Sequence, residues 1–146
     1  MKKVIVTVLL VAFAVLTLAS CAPAEPVDAR VRFRARGYEV DIIEKSYDIE
    51  DELSYFDIYT DGIDTVVRAW DDPEDINSKF AFAYVIYCED RKTARYVASD
   101  CEAYIYNDLE RALERSDATY DVEDFCVMKK GKTVLFGLTK MLTAVS

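Results

Sequence analysis

The chain has 146 residues, a formal charge of −9, no histidine and four cysteines. About 100–150 residues is the usual size of one domain built around one core, so a single domain is expected. The acidic excess argues against a nucleic-acid surface, which needs a basic footprint, and the lack of histidine removes the usual proton shuttle near neutral pH.

Met1-Lys2-Lys3 is a short basic start, and Val4 to Leu18 is almost entirely apolar. This is the pattern of an export leader, and it falls short of the roughly 20 apolar residues that cross a bilayer. Leu18-Ala19-Ser20-Cys21 ends the run with small residues before a cysteine. An ordinary secretory leader or an uncleaved anchor would share the apolar run without requiring that spacing. The segment resembles the lipobox of bacterial lipoproteins. The resemblance implies cleavage before Cys21, a diacylglyceryl thioether on its sulfur and commonly an N-acyl chain. It also implies a chain held on the extracytoplasmic face of the cell membrane, or at the outer membrane of a Gram-negative cell. Two or more acyl chains hold stably where one is marginal. Residues 1–20 are therefore read as signal peptide, 21–27 as lipidated cysteine and tether, and 28–146 as one α+β domain. Lys2 and Lys3 leave with the leader, which takes the formal charge from −9 to −11. Such a domain is repelled by anionic lipid.

After Pro23 and Pro26, Arg30-Val31-Arg32-Phe33-Arg34-Ala35-Arg36 alternates as a strand would. Asp28 as N-cap and Gly37 as C′ residue favour a short helix instead. The four arginines lie close to the anchor; they face either anionic headgroups or the domain's own carboxylates, with self-pairing the preferred reading. Tyr38 to Glu44 is read as a strand with Tyr38, Val40 and Ile42 on one face. Asp48 to Tyr59 is ambiguous, because Ile49, Leu53 and Phe56 have helical spacing while Thr60-Asp61-Gly62 looks like a hairpin turn. Ile63 to Trp70 is a strand and Asp71 to Asn77 a polar loop. Phe80 to Cys88 is apolar at every position, with large and small residues alternating, so it is expected to be a central strand covered on both sides.

Asp90 is expected to cap a helix over Arg91–Arg115. Ala94, Val97, Ala98, Cys101, Tyr104, Ile105, Leu109 and Ala112 form its buried stripe, with Asp100, Glu102, Glu110, Arg111 and Glu114 largely opposite. Asp124–Met128 and Thr133–Leu138 form a hairpin around Lys129-Lys130-Gly131-Lys132, and Leu138, Met141, Leu142 and Val145 a short closing helix. The fold expected is α+β: a mostly antiparallel sheet of four or five strands, one long helix on it, and short helices near both ends, packed on one face. Gly37-Tyr38, Phe80–Cys88, Arg91–Arg115 and Gly131–Val134 also resemble the layout of small bacterial lipoproteins, a resemblance that implies no activity.

Several motifs bear on chemistry. Gly131-Lys132-Thr133 has the tail of a phosphate-binding loop, but Cys126 stands where its first glycine belongs, so a turn is expected. Asp57-x-Tyr59-x-Asp61-Gly62 resembles the opening of an EF-hand loop, yet Tyr59 and Arg68 occupy ligand positions. Cys88, Cys101 and Cys126 allow at most one disulfide and read as core residues. No cofactor is assigned. The acids are too numerous for any one pair to be singled out as catalytic, and the chain is read as a non-enzyme.

Ten tyrosines are present, and Tyr47, Tyr55, Tyr59, Tyr96 and Tyr106 fall outside the core pattern. Exposed tyrosines offer flat amphipathic contact area at low entropy cost. The first functional reading is a membrane-anchored binding or scaffolding module for an envelope protein, with those five as interaction surface. The second is a small-ligand or cation-binding lipoprotein, which requires a concave site lined by aromatics and converging carboxylates. The third is a carboxylate-based hydrolase of envelope glycans, which requires two acids facing across a cleft.

Overall fold

The computed structural model describes Pro23, residues 25–71 and residues 78–146. Expectations for the leader, for Cys21 and for Asp72–Asn77 lie outside those residues. The order is α1 (Pro26–Ala35), β1 (Glu39–Ile43), α2 (Ser46–Ser54), β2 (Ile63–Trp70), a single 3-10 turn (Ser78–Phe80) and β3 (Phe82–Cys88). It continues with α3 (Arg91–Tyr104), a π turn (Ile105–Leu109), α4 (Glu110–Glu114), a second 3-10 turn (Val122–Asp124), β4 (Phe125–Lys130), β5 (Thr133–Leu138) and α5 (Thr139–Leu142).

The arginine-rich segment is a helix, because Ala29 and Phe33, one turn apart, both bury completely. It begins earlier than Asp28: Glu25 is the N-cap and Pro26 takes the first helical position, where a missing N–H costs nothing. Asp28 lies in the first turn, a favourable place for negative charge. The helix stops as expected at Gly37, whose φ of +87° suits glycine. The N–H of Gly37 donates to the Arg34 carbonyl (2.9 Å) and that of Tyr38 to the Phe33 carbonyl (3.3 Å). The Phe33 and Tyr38 rings meet edge to face at 6.3 Å across this stop.

In the ambiguous stretch the helical spacing prevails: α2 buries Ile49 and Leu53, and Phe56 follows them into the core. Asp57 ends the helix with φ +54°, a left-handed conformation that aspartate tolerates. The turn at Thr60–Ile63 exists, closed by Ile63 N–H to the Thr60 carbonyl (3.1 Å). It is not a hairpin, since no strand precedes it.

All strands pair antiparallel in the order β1-β2-β3-β5-β4, so β3 is central as expected. Phe80 belongs to the 3-10 turn rather than to β3. The β4–β5 turn is only Gly131-Lys132, so β4 runs on through Lys129 and Lys130. Pleating sends Val66, Arg68, Trp70, Phe82, Tyr84, Ile86 and Phe136 to one face. Val40, Val67, Ala69, Ala83, Val85 and Leu135 go to the other. Helices cover both faces, which corrects the expectation of a single covered one. α2 lies over β2, and α3 over β3, β4 and β5, on the first face; α1 over β1 and β2, and α5 over β3 and β5, on the second. The reason is burial: the six second-face residues named are 0–4 % exposed, so an apolar layer has to lie on them.

Asp90 caps α3 as expected, its carboxylate accepting from Thr93 N–H at 2.7 Å. The long helix contains a π turn that the apolar spacing does not foretell. A π turn takes one more residue than an α turn, so the buried stripe moves on by one: Leu113 is buried and Ala112 only half-buried.

Candidate functional site

The site lies on the first face, where α2 and the end of α3 diverge. Between them is a cleft of about 640 Å³. Its floor is Arg68 and Trp70 of β2 with Phe82 and Tyr84 of β3, and one wall is Asp51, Glu52, Tyr55 and Phe56. Tyr104 and Ala112 bracket the π turn on the other wall, and Asp71, Lys79 and Phe80 close one end. The π turn therefore has a local consequence: it rotates Ala112, expected in the core, to the cleft.

The apolar part is a continuous aromatic cluster. Phe56 meets Tyr104 (4.8 Å), Tyr84 (5.2 Å), Phe136 (5.3 Å) and Phe82 (5.6 Å) between ring centroids, mostly edge to face, the arrangement ring quadrupoles favour. Tyr55 packs edge-on to Phe56 (5.2 Å) and tilts over Tyr104 (6.3 Å) while itself staying exposed.

A charged network is set into this surface. Arg68 Nη1 donates to Glu52 Oε2 (2.8 Å), Arg68 Nη2 to Asp41 Oδ2 (3.1 Å), and the Tyr84 hydroxyl to Glu52 Oε1 (2.5 Å). The guanidinium lies over the Trp70 ring, 4.5 Å from its centroid, a cation–π contact. Arg68 Nε is buried and has no hydrogen-bond partner among the described residues. Burial, followed by the Glu52 charge, pushes the Tyr84 hydroxyl far above its ordinary value. Burial and then Tyr55 raise Tyr104. Both stay protonated donors at any physiological pH. Glu52 has both oxygens engaged, so it serves to hold Arg68 and Tyr84 in place.

Of the five tyrosines expected to form a surface, all are exposed, but they do not make one patch. Tyr55 is on the rim of the cleft. Tyr59 is tied to α3 by its backbone N–H, which donates to Asp100 (3.0 Å), while its hydroxyl donates to Asp61 (2.6 Å). Tyr96 lies one helical turn from Asp100 and faces Lys92, so Tyr59 and Tyr96 share the flank of α3. Tyr47 is at the far end of α2, about 12 Å along the axis from Tyr55 at 1.5 Å per residue. Tyr106 is on the outward side of the π turn.

Among the described residues, no group of three cysteines or acids is placed to hold a metal ion. The Asp57–Gly62 segment is a turn against α3; a Cβ on Gly62 would come within 2.9 Å of Thr93 Oγ1. Cys88 and Cys101 are buried free thiols and Cys126 a half-buried one. Burial, then Asp64 and Asp90, lifts the Cys88 thiol to about 12, and burial raises Cys101 as well. Such thiols are poor nucleophiles.

Spacing and composition give Arg68, Glu52 and Trp70 no site role, Arg68 entering only as a misfit in the EF-hand-like segment. One signal was available: a lone arginine between Val67 and Ala69 in an apolar strand has to find an acid. No helix among the described residues is long and apolar enough to cross a membrane. Comparisons with family models, curated proteins and solved structures found no match for this chain.

Proposed function

We propose that this chain is a lipid-anchored extracytoplasmic binding lipoprotein, without catalytic activity, whose ligand occupies the aromatic cleft. The lipobox-like Leu18–Cys21 segment supports the anchor. The observation that carries the binding site is the combination of an open aromatic floor with oriented donors at its base. Small-ligand sites combine apolar walls with a few fixed polar groups in this way, and this favours a small ligand over a protein scaffold. The ligand chemistry that fits has a flat apolar face for Tyr55, Trp70 and Tyr104 and polar edges for Arg68, Asp51 and Lys79. A sugar ring of an envelope glycan meets that description.

Trp70 is the only tryptophan in the chain, so its emission reports the cleft directly. Soluble glycan fragments titrated into the purified protein are expected to shift Trp70 emission saturably, and Y104A is expected to abolish the shift. Flat titrations across glycan fragments, together with crosslinking of a protein partner through Tyr96 or Tyr106 in intact cells, would return the reading to a scaffolding module. The anchor is tested separately by intact mass, which should show acyl chains on Cys21.

A further inference from the structure

α1 carries apolar residues on both of its sides. Ala29 and Phe33 face the sheet and are fully buried. Val27 and Val31, one turn apart on the opposite side, remain 51 % and 60 % exposed. Burial against the sheet gives no reason for valines there; a helix with one partner keeps its outward side polar. Arg30 and Arg34 each lie three residues after one of the two valines, and Arg32 and Arg36 continue the basic series. Among the described residues the ion pairs are those of Arg68 with Asp41 and Glu52, and no α1 arginine is in such a contact. The self-pairing expected from the sequence has no close contact among the described residues. The result is a basic, partly apolar ridge on a chain of formal charge −9.

The position of this ridge follows from Pro23. Its ring is buried and its carbonyl accepts from the Tyr87 hydroxyl at 3.0 Å. Burial, then Asp28 and Glu25, lifts that hydroxyl to about 12, so it remains a donor. The chain is thus fastened to the second face of the sheet beside the start of α1. Cys21 is two residues away, at most about 7 Å of extended chain. On the anchored reading proposed above, the second face has to lie close to the bilayer.

We infer that the outer side of α1 is a membrane-docking surface: Val27 and Val31 enter the headgroup region, and the arginines bind the phosphates of anionic lipids. Valine side chains with arginines beside them suit the boundary between headgroups and acyl chains, and anionic lipid attracts basic residues held at its surface. Docking by α1 directs the opposite face of the sheet, with its cleft, away from the membrane.

The test uses the full chain in vesicles of phosphatidylcholine and phosphatidylglycerol with brominated acyl chains, which quench nearby tryptophan. Two W70F variants each carry one new reporter at an exposed site, V31W on α1 and Y106W on the far layer. Quenching at position 31 is expected to exceed that at 106 about twofold or more, because only α1 reaches the acyl boundary. The excess should disappear when R30E and R34E are added, and at about 1 M salt, where charges are screened beyond about 3 Å. Equal quenching at the two positions overturns the inference. So does an excess that survives the charge reversals or appears equally in phosphatidylcholine alone. Intact mass of the same preparations reads the anchor independently. An unacylated chain sinks the proposed function, whereas the contrast between the two reporters still decides the α1 surface.

Discussion

The two faces of the sheet are built from the same strands and come out differently. β3 places Phe82, Tyr84 and Ile86 on one side, and on the other Ala83, Val85 and, at its end, Tyr87. On the second face small and β-branched residues let α1 and α5 settle directly onto the strands. Within the sheet, Gly137 of β5 lies tight against β3: with φ +133°, a Cβ there would collide with the Phe82 carbonyl oxygen and come within 2.8 Å of Ala83 Cα. On the first face the aromatic rings hold α2 and α3 apart, and the space left between them is the cleft. Large side chains on one side of a strand therefore make room for a site, while small ones on the other side close the molecule.

Truncation on either face of β5 tests this contrast with the largest effects. Phe136 and Leu135 are adjacent, both fully buried, and point to opposite layers. F136A is expected to cost about 3–5 kcal/mol and L135A about 2–5 kcal/mol, read from urea unfolding. Only F136A should also change Trp70 emission in the folded protein, since Phe136 supports Phe56 and Tyr84 beneath the cleft. Equal emission changes would mean that the two layers are mechanically continuous and the contrast is superficial.

The charged network sharpens the comparison next, because among the described residues the ion pairs lie on the first face. E52Q keeps an acceptor for Tyr84 but removes the charge facing Arg68. A loss of about 1–3 kcal/mol is expected, the range for a charge-assisted hydrogen bond in a partly shielded site. Arg68 should then loosen from Trp70, with an emission shift of the folded protein. If E52Q leaves both stability and emission unchanged, the network is a solvated surface pair.

Alkaline stability gives a third, smaller contrast. Cys88 and Cys101 have thiols raised by burial, Cys88 to about 12 from an ordinary value of 9.0. A group whose pKa is higher in the folded state holds its proton there while the unfolded chain gives it up. Stability from this source is therefore complete below about pH 9 and falls as pH rises toward 12, by at most about 1.4 kcal/mol per pH unit for each thiol. Tyr84 and Tyr104 add to the same loss above about pH 10. A C88A/C101A variant should show a shallower decline between pH 9 and 10, before the tyrosines contribute.

Much of the fold was legible because its signals are local. The large–small alternation of Phe80–Cys88 marks a strand covered twice, and Asp90 followed by a long apolar stripe marks the start of a helix. Ala29 and Phe33, by contrast, are only two inward residues, too few to announce a second layer, and Val27 and Val31 blur the pattern further. The π turn was illegible because it changes the spacing only after Ile105, where Leu109 satisfies both readings. The cleft draws Glu52, Arg68 and Trp70 from separate elements whose approach depends on α2, the stretch where helix and strand patterns competed. Tyr55 was visible as an exposed aromatic, but its role at the rim depends on where Tyr104 stops.

The smallest effect concerns how the two layers start their helices. α1 begins with a proline and without a side-chain cap, whereas α3 begins with the Asp90 carboxylate on Thr93 N–H. That hydrogen bond, with Lys92 nearby, holds the Asp90 carboxyl below its ordinary 3.8. A depressed carboxyl stabilises the fold above the unfolded pKa, and the contribution is lost as pH falls through the folded one. D90N retains a capping oxygen without the charge. It should lower the melting temperature slightly at pH 7, and the difference should shrink as pH falls through the carboxyl's lowered folded-state pKa. Trp70 emission of D90N at pH 7 should match that of the parent protein, because the cleft lies at the other end of α3. A D90N variant that disturbs Trp70 would instead make α3 a rigid lever between its cap and the cleft, and the separation of the helix start from the site would be lost.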